Sequence, residues 1–204
     1  MFSKFKPFIF ATASMVLASI ASAEYTESTF WKSDVEAGSL PPVDQRVPLD
    51  PLIVDLEAKG RETGKQGGTL NTMVTRTKDV RQMVVYGYAR LVGYDEQYDL
   101  QPDILSSIDV VDNRKFTLHL RRGHKWSDGA PFTSEDFRYW WENVANHPEL
   151  SPSGPPGFLR VQDELPTVTF PDEHTIIYEW KTQNLQFMQE LAEARPPFIY
   201  RPSH

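Results

Sequence analysis

DLQPDILSSIDVVDNRKFTLHLRRGHKWSDGAPFTSEDFRYWWENV, residues Asp99 to Val144, holds the clearest structural signals in the chain. Its middle reads as a hairpin. Ile108 to Val111 and Lys115 to Leu120 are β-favourable runs joined by Asp112-Asn113-Arg114, whose first two residues tolerate the left-handed backbone of a tight turn. In the second run Phe116, Leu118 and Leu120 share one face, opposite Thr117, His119 and Arg121, so half of that strand is buried. The stretch closes with a helix. Thr133 suits the cap, Glu135 and Asp136 occupy the positively polarised first turn, and Phe137, Trp140, Trp141 and Val144 fall at i, i+3, i+4 and i+7.

Outward from this stretch, Thr167 to Phe170 and Thr175 to Trp180 predict a second hairpin, with Pro171-Asp172-Glu173-His174 as its turn and Ile176, Tyr178 and Trp180 together on one face. Between the two hairpins, Ser151 to Gly157 reads as a loop. A helix is expected from Leu185 to Ala194, capped by Asn184, with Phe187, Met188 and Leu191 inside and Pro196-Pro197 as its stop. Toward the N-terminus, Thr69 to Thr75 predicts a strand. Val80, Met83, Val84, Tyr88 and Leu91 then recur at helical spacing over Asp79 to Leu91, with Gly87 as a weak point. Residues 24–66 form a polar lead-in, broken by Pro41, Pro42, Pro48 and Pro51 and carrying one short helical piece at Leu52 to Lys59; the ordered domain is expected over residues 67–204. Interleaved strands and helices give an α/β class.

Lys4 and Lys6 precede an apolar run from Phe8 to Ile20 that ends at Ala21-Ser22-Ala23. This order is that of a secretory signal peptide, so residues 1–23 are set apart from the fold and the product is expected in the periplasm. The apolar run is shorter than the roughly 20 residues a membrane-spanning helix needs. The chain has no cysteine, which removes disulfides, thiolate metal sites, a cysteine nucleophile and a lipid anchor on cysteine. A formal charge of -7 and a pI near 5.2 argue against nucleic acid as a partner.

The chemistry-bearing residues are sparse. His119, His124, His147, His174 and His204 lie on different elements, which gives no zinc spacing. Gly60-Arg61-Glu62-Thr63-Gly64-Lys65 falls one residue short of a phosphate loop and is followed by Gln66 where Ser or Thr is needed, so it reads as a linker. No serine sits in a nucleophile elbow. Asp128 with Glu135 or Asp136 offers an acid and base pair for a secreted glycoside hydrolase, flanked by tryptophans that stack on sugar. The structural alternative gives Asp128-Gly129 to a turn and Glu135 and Asp136 to a helix start.

Leu100-x-Pro102, Leu105-Ser106, the strand Phe116 to Arg121, Gly123, Trp126-Ser127-Asp128-Gly129, Pro131-Phe132-Thr133 and Glu135-Asp136-Phe137 form an ordered string. It resembles the extracellular solute-binding proteins of family 5, which include oligopeptide- and dipeptide-binding proteins of ABC importers. Gly67-Gly68-Thr69-Leu70 resembles the family's first strand. The resemblance implies a periplasmic-binding-protein-like α/β fold of type II, with two lobes around a cleft and the extra domain of the peptide-binding group. It also implies a monomer that is not an enzyme, needs no cofactor or metal, and captures peptides or similar small solutes for an ABC permease in the inner membrane. Ligand contacts are implied at the end of the first strand, Thr75, Arg76, Thr77 and Lys78, with Arg76 and Lys78 suited to a carboxylate. The Thr-Leu-His-Leu-Arg and Trp-Ser-Asp-Gly motifs are scaffold in that family, and His124 stands where an apolar residue is common. Family members are much longer, and this sequence stops at Pro202-Ser203-His204 before a lobe is complete, which implies an N-terminal fragment.

Overall fold

The structure, a computed structural model, describes residues 25–83, 87–193 and 197–204. The leader with Lys4, Lys6 and Ala21-Ser22-Ala23 lies outside the described residues, as do Val84 of the expected helix and Ala194 and Pro196 at the end of the last one. In chain order come α1 (Lys32–Glu36), α2 (Val43–Arg46) and a 3₁₀ turn at Thr77–Gln82. Strands β1 (Val92–Tyr94) and β2 (Leu100–Pro102) then pair antiparallel. A four-stranded sheet follows, built from β3 (Leu105–Val111), β4 (Lys115–Leu120), β5 (Thr167–Asp172) and β6 (Thr175–Glu179) in the order β3-β4-β6-β5. Between its two hairpins run α3 (Ser134–Tyr139), a π-helical turn at Trp140–Ala145 and a 3₁₀ turn at Gly157–Leu159, and α4 (Phe187–Leu191) closes the order. The result is an α/β arrangement whose described strands all run antiparallel.

The first hairpin forms where the sequence predicts it. Asp112 and Asn113 adopt φ of 53° and 52°, the doubly left-handed turn whose twist matches that of paired strands. Phe116, Leu118 and Leu120 are buried, and β6 pairs alongside them to add Ile176 and Tyr178. The second hairpin is tighter than expected. β5 continues through Pro171 to Asp172, which pairs with Thr175, so the turn is Glu173-His174 alone. Proline is accommodated because β5 is an edge strand and its register shifts between Thr169 and Asp172, where no ladder hydrogen bond is needed from residue 171.

Buried side chains of β4 and β6 pack beneath the helices. Phe187 of α4 lies 5.0 Å from Phe116, 5.1 Å from Tyr178 and 4.9 Å from Trp180 between ring centroids. Of the predicted stripe, Phe137 of α3 and Trp140 of the π-helical turn are buried, while Trp141 and Val144 of that turn are partly exposed. Asn184 is not the cap of α4, which is Gln186, but acts two residues before it: its Oδ1 accepts from the Gln186 amide (3.2 Å) and its Nδ2 donates to the Phe158 carbonyl (3.0 Å). Leu185 stays exposed before the helix begins.

Three expectations fail in the N-terminal third. Thr69 to Thr75 is not a strand; Leu70 and Met73 are exposed and no neighbouring strand pairs with the run among the described residues. β-favourable residues make a strand only when a partner supplies hydrogen bonds and a packing surface. Leu52 to Lys59 gives a turn at Leu56–Gly60 in place of a helical piece. The expected helix from Asp79 does not reach Leu91, because residues 88–90 are irregular and the Leu91 carbonyl instead accepts from the amides of Asp103 (3.1 Å) and Leu105 (3.3 Å). Gly87 favours such a break.

The lead-in packs on the domain at one tight point. The Asp50 amide donates to the Arg122 carbonyl (3.2 Å), Lys125 Nζ donates to the Gln45 carbonyl (2.6 Å), and Leu49 lies against Gly123. Gly123 has φ +83°, and a Cβ there would meet the Leu49 amide nitrogen at 2.5 Å. Gly123→Ala is therefore expected to cost about 1–3 kcal/mol and to free the lead-in, so that limited trypsin cleaves at Arg46 and Lys59 faster than in the parent. Unchanged cleavage would show that the contact does not hold this segment.

Candidate functional site

Asp95 organises the turn between β1 and β2. Its Oδ1 accepts from the amides of Gln97 and Asp99 (2.9 Å each), and its Oδ2 accepts from Gln101 Nε2 (3.1 Å). These bonds, chiefly the one from Asp99, hold its carboxyl below the usual aspartate range. On the other side of the hairpin the Arg90 amide donates to Asp103 Oδ2 (2.9 Å), and Arg90 Nε donates to the Glu193 carbonyl (3.2 Å) beyond α4. Hairpin, α4 and the coil at 52–59 thereby enclose an open cavity of about 1370 Å³. Leu52, Ile53 and Val54 give it an apolar side, while Lys59, Arg90, Asp103, Gln101, Gln189 and Glu190 supply donors and acceptors. Apolar surface with several separated polar groups suits a solute that alternates the two, such as a short peptide or an oligosaccharide. Periodicity and motif arguments missed these residues because β1 and β2 are three residues each, too short to show alternation.

Thr75, Arg76, Thr77 and Lys78 stand together elsewhere, at the start of the 3₁₀ turn. Thr75 Oγ1 and the Arg76 amide both donate to Asp79 Oδ2 (3.0 Å each), and Arg76 Nη2 pairs with Asp79 Oδ1 (3.1 Å). All four side chains are exposed, and none lines the large cavity.

The carboxylates considered for hydrolysis have structural partners. Asp136 is fully buried; it accepts from Trp126 Nε1 (3.2 Å), the Thr133 amide (2.9 Å), and both the amide and hydroxyl of Ser203 (3.0 Å each). It has no open face from which to protonate a glycosidic oxygen. Glu135 pairs with Arg138 one turn on. Asp128 Oδ1 accepts from the Ala130 amide (3.0 Å) inside the Trp126–Gly129 turn, and its Oδ2 lies 2.7 Å from His204 Nε2. The observed arrangement favours the structural alternative at each residue.

Asp128 and Asp172 show how these turns respond to acid. The Ala130 amide, then His204, lowers the Asp128 pKa, and the His174 amide, then Thr175, lowers that of Asp172. Both carboxylates hold their protons less tightly folded than unfolded, so the stability they contribute is present above the usual value of 3.8 and is lost as pH falls through the lowered values. Melts from about pH 6 to about pH 2.5 should show a decline concentrated below about pH 4, reduced in Asp128→Asn with Asp172→Asn. A decline of equal size in the double variant would remove these turns as the cause.

Residues 99–202 match the Bacterial extracellular solute-binding proteins, family 5 Middle. The chain is 28% identical over 209 residues to the periplasmic alpha-galactoside-binding protein of Rhizobium meliloti, covering 90% of this chain and 29% of that protein. Among solved structures, an oligopeptide-binding protein OppA is 31% identical with a TM-score of 0.67, over 78% of this chain and 24% of that one. The periplasmic binding protein MelB of Agrobacterium fabrum C58, solved with stachyose, shares the fold at 23% identity and a TM-score of 0.65, over 90% of this chain and 30% of that one. The chain thus spans under a third of the length of these relatives. The family match begins at Asp99 and takes in the strand, turn and helix string, and the chain belongs to the family 5 bacterial extracellular solute-binding proteins.

Proposed function

We propose that this chain is part of the substrate-binding component of an ABC importer, capturing peptides or similar small solutes in the periplasm and delivering them to a permease in the inner membrane. The carrying observation is the family match over residues 99–202 together with the OppA-like fold. The leader read at residues 1–23 agrees with a periplasmic site of action. In this reading the solute is trapped between two lobes by hinge closure, and the permease recognises the closed shape. The large cavity and the exposed Thr75, Arg76, Thr77 and Lys78 supply contacts from this part of the protein, the two cations facing a carboxylate. The component acts as a monomer without a cofactor and carries no catalytic residue.

A second reading takes an α-galactoside as the solute, because the relative of that specificity aligns over 90% of the chain. Uptake of labelled oligopeptides and of labelled raffinose by cells with and without the gene separates the two. Loss of peptide uptake on deletion, restored by the gene, is expected. Loss of raffinose uptake alone would move the assignment to sugars, and unchanged uptake of both would refute the importer role for these solutes.

A further inference from the structure

A second cavity, of about 460 Å³, lies between the 124–132 segment and the tail at 198–202, and it shares no lining residue with the large one. Its size falls within the roughly 300–1,000 Å³ range of small-molecule sites, enough for one or two rings and too small for an extended oligomer. Its walls are aromatic. Trp126 lies 5.4 Å from Phe132 and 6.2 Å from Tyr200, and Phe198 lies 5.8 Å from Tyr200 between centroids.

Its ionisable side chains, apart from the two tyrosines, are basic. His124, Lys125 and Arg201 line it and no carboxylate does among the described residues, whereas the large cavity carries Asp95, Asp103 and Glu190 among others. Arg201 Nη1 is anchored on the carbonyls of Phe198 (3.3 Å) and Tyr200 (2.8 Å), while its Nε and Nη2 make no hydrogen bond among the described residues. His124 Nε2 is buried without a partner. A buried polar atom left unpaired is costly and rare, and a bound ligand atom is one way it is satisfied. Burial lowers the His124 pKa; Asp103 and Asp50 oppose that shift and Arg121 adds to it. Burial also pushes the Tyr200 hydroxyl up to about 12, keeping it protonated.

We propose that this cavity binds a small aromatic carboxylate, its ring held among Trp126, Phe132 and Tyr200 and its carboxylate accepting from Arg201 and from His124 Nε2–H. Arginine's planar fork suits a carboxylate, and offset or edge contacts suit an added ring. The site shares no lining residue with the large cavity that the proposed function gives to the transported solute. Calorimetric titration of the full chain with phenylacetate, and with neutral 2-phenylethanol, is the test. Phenylacetate is expected to bind saturably at one site, with 2-phenylethanol about tenfold weaker. Arg201→Gln should weaken phenylacetate by about tenfold and leave the alcohol unchanged. His124→Leu should weaken phenylacetate while the melting temperature holds or rises. No saturable heat with phenylacetate, or equal affinity for acid and alcohol on the unaltered chain, would overturn the proposal. That comparison needs no variant to fold.

Discussion

Asp136→Ala is expected to lower stability by about 3–5 kcal/mol, because it removes the buried acceptor shared by part-buried donors from three separate segments at once. Those donors are Trp126 Nε1, the Thr133 amide at the head of α3, and the amide and hydroxyl of Ser203 in the tail, whose Arg201 amide also donates to the Asp136 carbonyl (3.1 Å). Asp136→Asn should cost less, about 2 kcal/mol, since one oxygen survives and the new amide hydrogens face a donor. Urea melts of both variants give the order directly. A loss below about 1 kcal/mol for the alanine variant would mean that tail and turn are held by other contacts.

The second large effect is placed at Phe187. Its ring is fully buried between Phe116, Tyr178 and Trp180 and near Phe158. Removing it leaves a cavity that rigid aromatic neighbours close poorly, so Phe187→Ala should cost about 3–5 kcal/mol, with Phe187→Leu well below that. Near-ultraviolet circular dichroism should lose intensity along with the melting temperature. Equal stability of the alanine and leucine variants would show that α4 is not a keystone of this core.

Local signals were legible in the sequence where each had a geometric requirement of its own. Asp112-Asn113 names a left-handed turn, Thr133 with Asp136 names a helix start, and Phe116, Leu118 and Leu120 name a buried face; all three appear as read. Elements that depend on partners were not legible. Thr69 to Thr75 has strand composition but no neighbour to pair with among the described residues, while α1 and α2 are five and four residues long, too short for a periodic apolar face. Pro171 misled because an edge strand with shifted register tolerates a residue that an inner strand excludes.

The candidate site was legible only in part. Asp136 reads as a helix-start acid in sequence, yet its bonds to Trp126 and Ser203 bridge separations that no local pattern reveals. The large cavity depends on Arg90 and Asp103 meeting across β1 and β2, and on α4 lying beside them. Such convergence of short elements is a tertiary property. Only the resemblance points to Thr75 through Lys78, and no local pattern reveals the Asp79 hydrogen bonds that fix the conformation there.

Solute binding by the complete product of the gene is the most direct test of the central claim. Calorimetric titration with mixed oligopeptides, and separately with raffinose, reports affinity and stoichiometry without any assumption about transport. Capture of one peptide-class solute per molecule, weakened by Arg76→Gln with Lys78→Gln, is the expected result. Saturable binding of neither class, with the protein folded throughout, would contradict the assignment of this chain to solute capture of these classes.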